Sequence, residues 1–258
     1  MLNYIKSELY RIYHSKTIYA MTAVLCGFAL FLNIILFVFG NEDSEFRYAT
    51  TWFSLSNLTA HLDFILVCAL VIVALLFSGE KKNGTLKNSL AYGVSRNDMF
   101  VGKCIVCSIA GMLSMIVILV VYIASSYLLL DNTSILPMQI LLKGICFTIP
   151  SAIASIVLAV TLFSICDSEI TAIIWWLGIM YLVPTIFYYI GFRVELFSLI
   201  SEWMPENFLS KEVAINLSGY DCLWDTSYGA IRCLVSGIAG ILVFGVIGMT
   251  KFNKKDIS

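Results

Sequence analysis

Three features of this sequence predict an all-α integral membrane fold with six transmembrane helices. The 258 residues are 60% hydrophobic and 13% charged, with a mean hydropathy of +0.90, so lipid rather than water solvates most of the chain. Six long apolar stretches stand between charged or turn-forming punctuation, and about 20 apolar residues of helix cross a hydrocarbon core about 30 Å thick. Lys and Arg are sorted unevenly among the connections, as in multi-pass proteins. A single transmembrane domain, residues 1–258, accounts for the whole length.

Before the first span, residues 1–16 place Leu2, Ile5, Leu9, Ile12 and Tyr13 at helical spacing, with Lys6, Arg11 and Lys16 elsewhere around the helix. That pattern suits a helix lying in the membrane interface; a charged stub that only orients the first span fits it too. The spans are read at 17–40, 58–79, 101–130, 140–166, 170–192 and 231–250. The first shows no small-x-small cleavage site and is expected to be retained. The third is long enough to tilt or to project from the bilayer. Pro150 and Pro184 are expected to kink the fourth and fifth spans. Residues 193–230 carry Trp203, Phe208, Tyr220, Trp224 and Tyr228. They are too apolar for a free loop, which predicts short helices at or in the outer interface, where aromatic rings sit well.

Orientation follows from the cations. Lys6, Arg11, Lys16, Lys81, Lys82, Lys87, Arg96, Lys103, Lys251, Lys254 and Lys255 fall on one side. Only Arg47, Lys143, Arg193, Lys211 and Arg232 fall on the other. The first side is therefore expected to be cytoplasmic, with both termini on it. Asp63 with His61, Lys143 and Arg232 lie near outer helix ends and are expected to snorkel to the interface. The eight cysteines sit in or beside apolar runs and read as small hydrophobes, so no metal site is expected. Only Cys222 and Cys233 stand where an exported disulfide is conceivable. No G-x-x-x-x-G-K-[ST], H-E-x-x-H or G-x-S-x-G occurs, and the histidines are two, His14 and His61. The chain thus offers no site for nucleotide phosphates and no visible hydrolytic machinery. Nothing in it suggests nucleic acid.

The connection between the second and third spans, residues 80–98, has the grammar of a short helix between turns. Gly84 permits a turn, Thr85 can cap, Leu86 and Leu90 share a face, and Gly93 can close the helix in a left-handed conformation. Ser95 and Asp98 then offer a fresh N-cap for the third span. A docking helix and a solvated basic loop both fit these residues. The pattern Glu80-x-x-x-Gly84-Thr85-Leu86, then Leu90, Tyr92-Gly93-x-Ser95-Arg96 and Lys103, resembles the membrane subunits of type-2 ATP-binding-cassette (ABC) exporters, and the coupling positions it implies take in Lys81 and Asn83 as well. In that family this connection is the coupling helix, seated in a groove of the ATPase.

The resemblance extends to the architecture of the whole chain. It implies a cytoplasmic ABC ATPase subunit, in two copies, that holds the ATP and Mg, and a second permease chain, the same or different. It also implies a multi-pass place in a plasma membrane, of bacterial type. Asp167 and Glu169, between the fourth and fifth spans, become a secondary contact with the ATPase; a tight hairpin with hydrated acids is the plain alternative. Trp175, Trp176, Tyr181, Tyr188 and Tyr189 become a candidate substrate path along the fifth span, against ordinary packing or lipid-facing aromatics. The compact build is similar to lantibiotic-immunity and bacitracin-type permeases. This likeness implies export or membrane expulsion of an amphipathic substrate such as an antimicrobial peptide, hence antibiotic resistance or self-protection. An exporter of lipid, polysaccharide or ion, and a non-transporting scaffold or sensor, are the alternatives.

Overall fold

The computed structural model describes residues 1–43, 45–83, 93–216 and 219–254. These form eleven α-helices and one small hairpin: α1 (Leu2–Tyr13), α2 (Lys16–Glu42), α3 (Thr51–Ala60), α4 (Phe64–Asn83), α5 (Arg96–Leu129), α6 (Leu136–Ile165), α7 (Glu169–Leu177), α8 (Val183–Gly191), α9 (Glu195–Glu202), α10 (Pro205–Lys211), the antiparallel strands β1 (Val213–Asn216) and β2 (Gly219–Cys222), and α11 (Ser227–Lys254).

Five helical stretches are long and apolar enough to cross a membrane: α2, α5, α6, the combined α7–α8, and α11. The pair α3 and α4, bent by 67° at residues 61–63, is together long and apolar enough for a sixth crossing if the two form one broken span. The sequence reading places one span over 58–79, and the helix is broken within it. Its start lies inside α3, and the break falls where His61 and Asp63 interrupt the apolar run. The helix begins earlier because Thr50 caps it, its side chain accepting from the Phe53 amide at 3.3 Å. α5 and α6 match their expected spans within a few residues.

Of the two prolines, Pro150 sits inside an unbroken α6. Pro184 follows a π-helical turn at Gly178–Leu182, which joins α7 to α8. Proline lacks the amide for the normal i→i−4 bond, and a π turn is one way a helix absorbs that loss.

Contacts identify the two ends of the bundle. At one, the Met1 ammonium lies 3.5 Å from Asp98 and Asn253 Nδ2 donates to Asn97 Oδ1 at 2.7 Å. At the other, the loop after α2 pairs with the end of α5: Asp131 N donates to Ala49 O at 3.1 Å and Thr51 N to Asp131 O at 3.0 Å. Residues 1 and 254 therefore lie at the same end.

Packing is tightest between α6 and α11. A Cβ at Gly237 would sit 2.5 Å from Pro150 Cβ, and one at Gly240 would sit 2.9 Å from Ala154 Cβ. Thr161 Oγ1 donates to Phe244 O at 3.1 Å. Small residues that let backbones approach are what joins helices in lipid, where apolar burial alone drives little.

Candidate functional site

The end bearing both termini gathers most of the positions expected to meet a partner. Gly84, Thr85, Leu86, Leu90 and Tyr92 lie outside the described residues. Glu80, Lys81 and Asn83 belong to the last turns of α4, where only the backbone is described. Gly93 has φ +81°, the left-handed conformation expected of it and open chiefly to glycine. Ser95 is the N-cap of α5, its Oγ accepting from the Asp98 amide at 3.1 Å.

Arg96 does not simply project outward. Its Nη1 donates to the carbonyls of Phe252 and Asn253, at 3.3 and 3.1 Å. Two residues past Asp98, the Phe100 ring is buried 6.4 Å from that of Phe252. Lys103 is buried too, with Nζ 4.8 Å above the Phe77 ring.

α1 packs on this same turn through Tyr4, which fills the space a Cβ at Gly102 would need. Its enclosed residues are Tyr4 and Glu8, with Glu8 paired to Arg11 at 2.6 Å. Leu2 and Tyr13, expected on the apolar face, are exposed. The turn between α6 and α7 lies at the same end, since Phe163 packs 5.7 Å from Phe77. Asp167 is exposed there, and Glu169 opens α7 in its first turn.

The five aromatic residues of the fifth span do not share one surface. Trp176 is fully buried and donates to Ser155 O at 3.3 Å. Tyr181 donates to Asp63 O at 3.3 Å, bracing the break between α3 and α4. Tyr188 lies under Lys211, whose Nζ is 4.0 Å from the ring centroid. Only Trp175 and Tyr189 face outward, 58% and 65% exposed. A separate apolar crevice of about 190 Å³ runs between α2, α4, α5 and α6, lined by residues such as Leu25, Phe28, Leu62, Ile65, Ile118 and Ile153, with His61 and Tyr122 at its margin.

Above the crevice lies a polar network that the sequence reading missed. Asn33, fully buried in α2, donates to Ser125 Oγ at 2.7 Å and to Tyr122 O at 3.1 Å. Its Oδ1 accepts from Ser54 Oγ at 2.6 Å, and Tyr122 donates to Ser54 O at 3.0 Å. The available signal was a lone Asn within 24 apolar-rich positions of the first span, facing a Ser-Ser pair in the third.

At the opposite end, residues 193–216 and 219–226 pack as a cap, and its Phe208, Leu209, Val213 and Trp224 join the core of the bundle. The expected short helices are α9 and α10; the β1–β2 hairpin is an addition to them. Arg232 does not snorkel. It is buried at the head of α11, pairs with Glu212, lies 3.9 Å from Glu202 and faces the rings of Phe208 and Tyr228. Lys143, which is exposed, pairs with Asp225 at 2.5 Å. Cys222 and Cys233 are free thiols. Burial, then Asp225 and Asp221, push the Cys222 thiol up to about 12, so it stays protonated in neutral solution.

Among the described residues no cluster of His, Cys, Asp or Glu is arranged to hold a metal ion. None of the curated proteins compared matches the chain. A family model described as "ABC-2 family transporter protein" does match, over residues 4–185. That stretch, well over half of the chain, runs from α1 through the 80–98 connection and into the start of α8, and the chain belongs to the ABC-2 transporter family.

Proposed function

We propose that this chain is the permease subunit of an ABC exporter, driven by ATP hydrolysis in a separate subunit. The family match over residues 4–185 carries the reading. In it, the end with both termini faces the cytoplasm, as its excess of Lys and Arg favours. Residues 80–93 of the connection dock on a cytoplasmic ABC ATPase, present in two copies that hold ATP and Mg. Glu80, Lys81, Asn83, Gly84, Thr85, Leu86, Leu90, Tyr92 and Gly93 form the contact, and Asp167 and Glu169 add a second one. A further permease chain, the same or different, completes the transporter across the outward-facing side of the fifth span.

The cargo we propose is amphipathic and taken from the membrane, an antimicrobial peptide being the leading class, and export of it gives resistance. The crevice between α2, α4, α5 and α6 supports this, because its lining is mostly apolar, with His61, Ser114 and Tyr122 as its few polar side chains, and suits an apolar ligand better than a hydrated ion. Of the fifth-span aromatics, Trp175 and Tyr189 are the pair left free to meet such a ligand.

The test is a comparison of cells carrying the permease with an active ATPase and cells whose ATPase binds but does not hydrolyse ATP. The active pair is expected to survive higher doses of at least one membrane-active peptide. Identical dose curves across a broad panel would remove the peptide cargo and leave the transporter. Loss of ATPase co-purification in Leu86→Asp, with normal membrane insertion, is expected if the connection docks; unchanged co-purification would remove that contact.

A further inference from the structure

The first turn of α5 is tied to two other helices, and this deepens the exporter reading, on which it rests. The last turn of any α-helix leaves carbonyls without intrahelical partners, at the negative end of the helix dipole. In α11 the carbonyls of Phe252 and Asn253 are taken by one guanidinium, that of Arg96, from a residue more than 150 positions away in the chain. Asn253 returns a hydrogen bond to Asn97 at 2.7 Å. Beneath them Phe252 and Phe100 are both almost fully buried, and Gly248 leaves the room that Phe100 and Thr161 occupy. On the other side of the same turn, Asp98 meets the Met1 ammonium at 3.5 Å.

We propose that Arg96 is a positioning residue that acts through α11: it passes displacement of the 80–98 connection to the foot of the sixth span instead of touching the ATPase. Three observations support this over a simple surface staple. The two bonds from Arg96 to α11 end on backbone, so they pull on the helix itself and not on a flexible side chain. α11 is fitted to α6 through Gly237, Gly240 and Gly248, so its foot cannot shift without carrying the rest of the pair. Its head bears Arg232, paired with Glu212 of the opposite cap. Arg232 and Asn253 are about 30 Å apart along the helix at 1.5 Å per residue. A push at Arg96 thereby reaches the far end of the bundle through one rigid element.

The test uses the complete complex of permease and ATPase in lipid. Spin labels carried by unnatural amino acids at Ile170 and Thr250, both exposed near the ends of α7 and α11, report the separation of the two helix feet. Adding a non-hydrolysable ATP analogue is expected to change that distance by on the order of 2–5 Å in the wild type, the range of helix shifts and ratchets. In Arg96→Ala the shift is expected to vanish while ATPase co-purification and ATP binding stay at wild-type level. Arg96→Lys is expected to recover at least half of the shift, because an ammonium also bonds terminal carbonyls. Asn253→Ala removes the bond to Asn97 and leaves both carbonyls that Arg96 holds, so it is expected to keep the shift, and its loss in Asn253→Ala with Arg96 intact would count against Arg96 as the link. If Arg96→Ala releases the ATPase, Arg96 is a docking residue and the proposal fails. An unchanged shift in Arg96→Ala also defeats it. A wild-type chain that neither binds an ATPase nor responds to nucleotide would overturn the exporter reading itself.

Discussion

α6 with α11 and α2 with α5 are both pairs of long membrane helices, yet they are joined by opposite means. α6 is the most enclosed span, 61% of its most apolar window being buried, and α2 the least, at 11%. Along α6 and α11 the contact is backbone against backbone, with Gly237 set on Pro150 and Gly240 on Ala154. Between α2 and α5 the contact that stands out is polar: Asn33 bonded to Ser125 and Tyr122, and Thr22 Oγ1 donating to Ser114 Oγ at 3.2 Å. Because lipid tails are as apolar as leucine, neither joint draws its strength from apolar burial. Close approach serves one and hydrogen bonding in a dry interior serves the other.

Identical glycine substitutions break this comparison most sharply. Gly237→Leu has to displace the Pro150 backbone, whose carbonyl carbon would lie 2.6 Å from the new Cβ. It is expected to destabilise the chain by about 3 kcal/mol, at the upper end of overpacking penalties. Gly27→Leu in α2, where a Cβ meets nothing within 4 Å, is expected to be close to neutral. Thermal unfolding of the two variants in one detergent checks this, and equal midpoints would dissolve the distinction.

A smaller effect is expected from Asn33→Leu, about 1 kcal/mol, in line with interhelical hydrogen bonds measured within membranes. A double-mutant cycle with Ser125→Ala should return a coupling energy of similar size, and a value near zero would show the network to be incidental. The least effect is expected from Lys143→Ala. Its ion pair with Asp225 is exposed on both sides and screened by water and salt, so the loss should stay below about 1 kcal/mol and shrink further in high salt.

What the sequence made legible follows from where its signals are local. Span positions came from runs of apolar residues, and the α5 cap at Ser95 and the left-handed Gly93 from short-range backbone rules. The 67° break was hidden because apolar content does not register direction: His61 and Asp63 look alike whether they snorkel or interrupt a helix. Arg232 was misread for a similar reason, as its partner Glu212 lies 20 residues earlier in an irregular segment and no helical spacing links them. The aromatic fifth span left open whether its rings line a path, pack or face lipid. Trp175 and Trp176 are neighbours in sequence and so point in different directions around the helix, one outward and the other into Ser155. Of the candidate site, the ends of the 80–98 connection were readable, whereas the hold of Arg96 on α11 is a contact between distant parts of the chain that no local pattern encodes.

The cap also bears on how the protein is made. Asn207 Nδ2 donates to Pro184 O at 2.9 Å, and Lys211 covers Tyr188. The region after the π turn is thus completed by residues synthesised about 20 positions later. At translation rates of about 5–20 residues per second, that delay lasts on the order of 1–5 s. During it the part of the fifth span after the π turn lacks these two contacts. Completion of the fifth crossing is thus linked in time to the segment that follows it, since Pro184 and Tyr188 gain these partners only once residues 207 and 211 have been made.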